Sequence, residues 1–339
     1  MCMLRHSESL LSHVVLFTLW SRGRIGRLSK DKWAGVSDLR EEARYLRVDD
    51  KEIKISNPDK PLYPEAGITK WDYVLACGRL APFLLKGTRF RPLTVIRYPH
   101  GIHGESFYQK NAPDHTPEWI ATAREGDIEH ILLNDVATLI WLANLACLEF
   151  HVAFHRTDGP NTPPEIVFDL DPSVDDFSKV AETALLTREV LRRMDLDGFI
   201  KTSGASGLQI HVPLEGKYTY EQTRKVGKFI AHYLAEQHPL LVTVTRQVKR
   251  RGDKVYFDYL QHWRGKTLIA PYSPRANPAA AVATPLLWEE VTPDLVPADW
   301  NLRTIFPRLE QKGDLFDPLY NGPGYRLDRI LAFIEKRRL

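Results

Sequence analysis

The sequence predicts a mixed α/β fold of the α+β kind. From Tyr45 onward, strand-like and helix-like segments alternate without a strict βαβ rhythm. Several short segments alternate apolar and polar residues one by one, as half-buried strands do. The 339 residues are 43% hydrophobic and 26% charged, an ordinary globular composition that excludes wholesale disorder and fibrous folds. That length suits one large domain or two smaller ones. Lysine plus arginine is 46 and aspartate plus glutamate 43, a net charge of +3, so any nucleic-acid surface must be a local patch. The three cysteines, Cys2, Cys77 and Cys147, are too few and too scattered for a disulfide framework or a cysteine zinc site, and a reducing cytoplasm is the expected compartment.

The N-terminus holds an apolar run over residues 10–20, LLSHVVLFTLW. At about 11 residues it is short of the roughly 20 that cross a bilayer. Its arginines, Arg22, Arg24 and Arg27, follow the run rather than precede it, and no small-residue cleavage site follows, so an export signal is not expected. Residues 1–45 read as an extension, or as the product of an upstream start codon, and are set aside from the fold.

The elements follow in order. Residues 69–85 read as a helix capped by Thr69, with Pro82 near its end. Residues 92–98 read as a strand and 135–146 as a helix. In 147–155, Leu148, Phe150, Val152 and Phe154 share one side of a strand. In 165–171, Ile166, Phe168 and Leu170 point to a core while Val167, Asp169 and Asp171 point the other way. Residues 178–194 form an amphipathic helix. Residues 199–214 read as strand, glycine-rich turn, strand, and 254–260 as a further strand. Proline-rich loops occupy 271–285, and a last helix falls near 325–338.

Polar groups gather on one face of three of these strands. Asp169 and Asp171 lie about 7 Å apart by the strand rise. Such a pair repels itself unless a cation sits between, and open carboxylates are what hard divalent ions such as magnesium prefer. A strand end running into a turn at Asp171-Pro172 is the plain alternative. In the hairpin, Gly204 and Gly207 make a tight turn, and Gln209 and His211 share the polar face. Ser203, the Gly204 amide and the turn amides can form an anion-binding nest. In the third strand, Val255, Phe257 and Tyr259 point one way and Tyr256, Asp258 and Leu260 the other. Asp258 is an acid in a strand suited to burial, a costly placement that a metal shared with Asp169 and Asp171 would resolve. Gln261, Arg264, Lys266 and Arg275 follow. RQVKRRGDK (246–254), with five basic residues and one acid, precedes it. Three carboxylates, a nest and flanking cations are the parts of two-metal phosphoryl or nucleotidyl transfer. A metal-dependent nuclease would share the carboxylates with less need of a triphosphate cradle.

Six segments recur together and in order: SNPDKPLYPEAGITK (56–70), RYPHGIHGESFYQKNAP (97–113), LEFH (148–151), VFDLDP (167–172), TSGASGLQ (202–209) and FDYLQHWRGKTLIAPYSPRA (257–276). Through them the chain resembles, over most of residues 51–318, the polymerase domain of bacterial DNA ligase D, within the archaeo-eukaryotic primase superfamily. The resemblance implies a primase-polymerase fold with an RRM-like antiparallel catalytic sheet and a smaller N-terminal subdomain. The body would span 46–320, with an N-terminal part over 46–150, a catalytic part over 151–320 and a C-terminal helix over 321–339. It implies Asp169, Asp171 and Asp258 as ligands of two manganese or magnesium ions. Ser203 would contact the incoming nucleoside triphosphate, with Gly204, His151, Lys266 and Arg275 nearby and Gln261 in support. Lys60 and Lys70 match the pocket for a 5′-phosphate across a DNA gap; an anion is welcome near the helix start at Lys70. Phe107 and Tyr108 match aromatics that stack on the template, and Lys110 and Arg251 match basic positions near nucleic acid. Core packing is the alternative for Tyr108, since alternation puts only one of an adjacent pair inside.

One departure from the family pattern stands out. Many members have histidine where this chain has Gln209 and lysine where it has Ser206. Gln209 carries no charge, and His211, on the same face, is the expected substitute at the triphosphate. No K-x-D-G motif is present, so a stand-alone polymerase is expected, with Ku and a separate ATP-dependent ligase acting in trans, in the cytoplasm and at the nucleoid during repair. The first functional expectation is template-dependent gap filling or end extension in non-homologous end joining, with a preference for ribonucleotides. De novo primer synthesis, a non-catalytic end-binding module and a metal-dependent nuclease are the alternatives.

Overall fold

The structure is a computed structural model that describes residues 44–337; the expected extension over 1–45 falls outside these residues except at its end. The chain divides into two compact units after Pro58. The described part of the first is a hairpin of β1 (Arg44–Val48) and β2 (Lys51–Ile55), antiparallel, with Leu46 opposite Ile53 and Asp49 at φ 52° in the turn.

The second unit starts at Asp59. Its first strands, β3 (Pro61–Tyr63) and β4 (Ile68–Thr69), form a short ribbon leading into α1 (Lys70–Thr88). Thr69 caps the helix reciprocally: its hydroxyl accepts from the Asp72 N–H at 3.2 Å, and the Asp72 carboxylate accepts from the Thr69 N–H at 2.9 Å. The helix runs past the expected stop at 85, with Pro82 inside it. Pro82 gives up one backbone bond, and the buried Tyr73, Val74, Leu80 and Leu84 keep the helix going. Then come β5 (Leu93–Arg97), β6 (Phe107–Gln109), β7 (Thr122–Glu125), β8 (Ile128–Ile131), α2 (Val136–Asn144) and β9 (Cys147–Ala153).

The C-terminal half follows as β10 (Glu165–Pro172), α3 (Phe177–Arg193), β11 (Phe199–Thr202), β12 (Leu208–Pro213) and α4 (Tyr220–Gln237). It continues through β13 (Val242–Thr243), β14 (Val255–Phe257), β15 (Thr267–Ile269) and β16 (Pro285–Leu286), and ends in α5 (Ile305–Lys312), α6 (Asp317–Asn321) and α7 (Asp328–Lys336).

Two sheets organise this unit. The larger has the order β13-β14-β10-β12-β11-β16, antiparallel except for β13 beside β14; the smaller has the order β15-β9-β5-β6 and is antiparallel throughout. β15 therefore returns from the C-terminal half to pair with β9. One face of the larger sheet is core. Ile166, Phe168, Leu170, Ile210, Val212 and Phe257 pack there with Val180, Leu191, Ile230 and Leu234 of α3 and α4 and Ile334 of α7. The period-2 alternation of 165–172 thus does what it predicts, freeing the other face for polar groups.

Two segments differ from expectation. The strand over 254–260 stops at Phe257, because the Asp258 carboxylate accepts from the Leu260 N–H at 3.0 Å and turns the chain. The last helix begins only at Asp328, because Tyr325 donates its N–H to the Pro213 carbonyl at 2.8 Å and bridges to Leu214 just past the end of β12 instead.

Phe168 is fully buried and packs edge-on against Phe257. Phe168→Ala should cost about 3–5 kcal/mol of unfolding free energy in urea melts. A loss under about 1 kcal/mol would contradict this account of the core.

Candidate active site

The polar face of β10 runs Glu165, Val167, Asp169, Asp171, and its two ends differ. At the first end the face is closed. Glu165 pairs with Arg91 at 2.9 Å and with His211 Nδ1 at 3.1 Å, all three buried. Burial pushes the Glu165 carboxyl up, but Arg91 and His211 outweigh it and hold it at about 2. His211 Nδ1 is therefore held in this cluster, with the ring packed edge-on to Phe316 and Nε2 buried without a partner. It shares a face with Gln209 as expected, but it pairs with Glu165 at the end of that face away from Asp171.

At the other end stand the acids. Gln209, opposite Asp169 in the β10–β12 register, donates from Nε2 to Asp169 Oδ1 at 3.0 Å. Asp258, one residue past β14, donates its N–H to the Asp169 carbonyl at 2.9 Å. Its Oδ1 also accepts from the Tyr256 hydroxyl at 3.0 Å. Burial, and then the charges of Asp171 and Asp258, push the Asp169 carboxyl up to about 8. Asp171 is raised too, by burial and then by Asp258, with the Arg251 guanidinium opposing. No group of three or more histidine, cysteine or acidic side chains among the described residues already encloses a point as a metal cage. The donor set nonetheless fits hard divalent ions: three carboxylates crowd into a half-buried patch where their mutual repulsion is only partly offset.

The turn after β11 is built by Ser203 and Gly204. Ser203 Oγ accepts from the Ala205 N–H at 3.2 Å and the Gly207 N–H at 3.1 Å. Two of the turn amides expected to line an open nest are thus already used, and the hydroxyl hydrogen is what Ser203 has left to donate. Gly204 sits at φ +70°, and a Cβ there would come within 2.6 Å of the Arg275 Cγ, so glycine lets Arg275 lie against the turn. Arg275 in turn pairs with Glu149 Oε2 at 3.1 Å, and His151 Nε2 meets the same oxygen at 2.9 Å. Burial lowers the His151 pKa, with Glu149 pulling the other way.

Other predicted residues take more indirect places. Lys266 donates to the Leu260 carbonyl and Gln261 to the Thr267 carbonyl, both at 2.9 Å, so together they brace the loop after Asp258. Lys266 also lines a cavity of about 170 Å³ with Lys110, Thr94 and His130. Arg251 lies 3.7 Å over the Tyr256 ring and donates to the Thr245 and Arg246 carbonyls, which sets its charge near Asp171. Lys60 and Lys70 are brought together at the start of α1: the Lys70 N–H donates to the Lys60 carbonyl at 2.8 Å, and Lys60 Nζ reaches the Pro99 carbonyl at 2.7 Å. Lys70 is buried. Phe107 and Tyr108 are both exposed, at 44% and 73%. They lie on the edge strand β6, outside the core, so alternation hides neither, and core packing is ruled out for Tyr108.

Three contributors escaped the sequence reading. Lys201, fully buried, lies opposite Gln209 and so completes a row Lys201, Gln209, Asp169 across three strands. Burial drops its pKa to about 7, with Asp169 opposing. Counting outward from the Gly204 turn would have found it. Glu149 alternates with His151 in LEFH and shares its face by period alone. Tyr256 lies two residues before Asp258 and shares its face likewise.

A family model described as "LigD, primase-polymerase domain" matches residues 69–316. The bifunctional non-homologous end joining protein LigD of Bacillus subtilis is 40% identical over 297 residues, 87% of this chain and 48% of that protein. The multifunctional LigD of Mycolicibacterium smegmatis is 34% identical over 291 residues, 81% of this chain and 36% of that one. The chain thus spans about half the length of the first of these relatives and about a third of the second. Among solved structures, the polymerase domain of Mycobacterium tuberculosis ligase D in complex with DNA superposes with a TM-score of 0.75 at 31% identity, covering 80% of this chain and 98% of that one.

The acid cluster makes stability depend on pH. Asp169 is near its ordinary value when unfolded and about 8 when folded, so the folded protein holds the extra proton between those limits. Stability should fall as pH rises through that window, and the penalty is complete above about 8. In chelator-treated buffer, Asp169→Asn should therefore raise the melting temperature at alkaline pH and change it little in acid. An equal shift at both ends would contradict the assignment.

Proposed function

This chain belongs to the LigD primase-polymerase domain family, whose members are nucleotidyltransferases of non-homologous end joining, and from that premise we propose that it is a template-dependent polymerase that fills short gaps or extends ends at DNA breaks. The observation that carries the reading is the junction of β10 and β14, which sets Asp258 against Asp169 and Asp171.

The reaction is attack by a primer 3′-hydroxyl on the α-phosphate of a nucleoside triphosphate, with pyrophosphate leaving. Asp169, Asp171 and Asp258 would hold two manganese or magnesium ions, which supply activation of the hydroxyl and charge relief on the triphosphate. Gln209 fixes the orientation of Asp169, and Tyr256 with the Leu260 amide fixes Asp258. Ser203 turns its free hydroxyl hydrogen toward a phosphate oxygen. Arg275 and His151 supply the remaining contacts to the triphosphate, where fixed donors stabilise developing charge. Lys266 and Gln261 act by bracing the loop after Asp258. Phe107 and Tyr108 offer exposed faces on which template bases of any sequence stack. Lys60 and Lys70 hold the 5′-phosphate across the gap, and Lys110 and Arg251 lie along the strand backbones. Ribonucleotide preference, and partnership with Ku and a DNA ligase in the cytoplasm, belong to the same reading. No helix among the described residues is long and apolar enough to cross a membrane.

The test uses a labelled primer on a template with a short gap, with manganese or magnesium and with ribo- or deoxyribonucleotides. Extension should improve with a 5′-phosphate across the gap, and Lys60→Ala and Lys70→Ala should erase that improvement. Asp258→Asn should lower extension by about a hundredfold or more. Binding of gapped DNA without extension under either metal would leave an end-binding module, and shortening of the primer without nucleotides would indicate a nuclease. Products made without a supplied primer would mark a primase.

A further inference from the structure

We propose that Glu149 is the positioning residue that sets His151 and Arg275 as one triphosphate-reading unit, an inference that rests on the polymerase reading above and deepens it. Glu149 is 5% exposed on β9, two residues before His151 and on the same face. Its Oε2 meets His151 Nε2 at 2.9 Å and Arg275 Nη1 at 3.1 Å, while Oε1 accepts from the Ala276 N–H at 3.1 Å. One carboxylate thereby joins the small sheet to the loop that carries Arg275, and through the Arg275 stem to the Gly204 turn with Ser203.

A buried ion pair can be merely structural, and what distinguishes this one is the capacity its partners keep. Among the described residues Arg275 makes no other side-chain bond to protein, and His151 Nδ1 has no protein partner. Glu149 takes one nitrogen from each and leaves the others for an anion. It also decides how the imidazole meets that anion. A carboxylate on Nε2 draws the proton there, so Nδ1 donates to a phosphate oxygen only as imidazolium. Glu149 favours that cation, while burial, Arg275 and Lys201 oppose it. Arrival of a triphosphate supplies the missing negative charge. A diphosphate brings less of it, so the unit should discriminate by phosphate count. The role belongs to the small sheet, away from the carboxylates on β10.

Glu149→Gln keeps the shape and removes the charge. It should raise the KM for nucleoside triphosphate about tenfold, with a smaller change in kcat and with gapped-DNA affinity held. The alkaline rise in KM should move to lower pH, because the imidazolium loses its partner, and the preference for triphosphate over diphosphate as competitor should shrink. A cycle with Arg275→Gln should be non-additive, since Glu149 acts through that residue. Glu149→Asp retains the charge on a shorter stem and should recover part of the loss; it is also the variant to measure if Glu149→Gln does not melt cooperatively. An unchanged KM and pH profile in a folded variant, or strict additivity with Arg275→Gln, overturns the inference alone. Wild-type protein that never extends a primer overturns the polymerase reading and the inference with it.

Discussion

Everything at this site answers to one difficulty: three carboxylates share one half-buried patch at the end of β10. Asp169 and Asp171 stand on one strand and Asp258 is drawn in by its own backbone, through the bond from its N–H to the Asp169 carbonyl. That bond cannot be relaxed without unpairing β14 from β10. The fold therefore holds the charges together and must temper them from around. Gln209 donates to Asp169, Tyr256 to Asp258, and Arg251 lays its cation over Tyr256 beside Asp171. Lys201 adds a buried ammonium two strands away in the same row. None of these neutralises the cluster, as the raised Asp169 shows. A dication does so outright, which is why such a patch is better understood as a binding site than as a feature of stability.

The rest of the catalytic sheet exists to hold that row still. Its apolar face is sealed by α3, α4 and α7, and its side chains interlock through Phe168 and Phe257 directly behind the acids. On the polar face, the closed cluster of Arg91, Glu165 and His211 is the counterpart of the open one. There every charge has a partner, and the carboxylate sits far below its usual range. Two like rows of side chains on one strand thus take opposite fates, decided by whether an arginine pairs directly with a carboxylate, as Arg91 does with Glu165, or only lies nearby, as Arg251 does by Asp171. Val167 separates them, packed with Phe154, Leu268 and Tyr220.

Much of this was legible in the sequence because period and spacing are local. The alternation in 165–172 placed Asp169 and Asp171 on one face, Thr69 announced the start of α1, and the two glycines announced the hairpin. What was not legible depends on contacts far apart in the chain. His211 was read beside Gln209 correctly, yet its partner Glu165 lies 46 residues earlier and Arg91 further still. The strand at 254–260 looked longer than it is, since alternation does not register that Asp258 bends the backbone with its own carboxylate. Phe107 and Tyr108 both escape the core because β6 is an edge strand, and strand order is not written in the local pattern.

Position 209 takes on a different meaning in this light. The Gln209 amide donates to Asp169 but brings no charge, and its own Oε1 is buried without a partner. His211 does not make good the difference, being held by Glu165. The nearest buried cation in the row is Lys201, whose ammonium makes a single long bond to the Thr202 carbonyl at 3.3 Å. A donor with spare hydrogens thus lies in the same row as an acceptor with none. In the proposed reaction, the triphosphate meets its cations mainly from the small sheet and its loop, where Glu149 gathers Arg275 and His151, rather than from the strand that bears the acids.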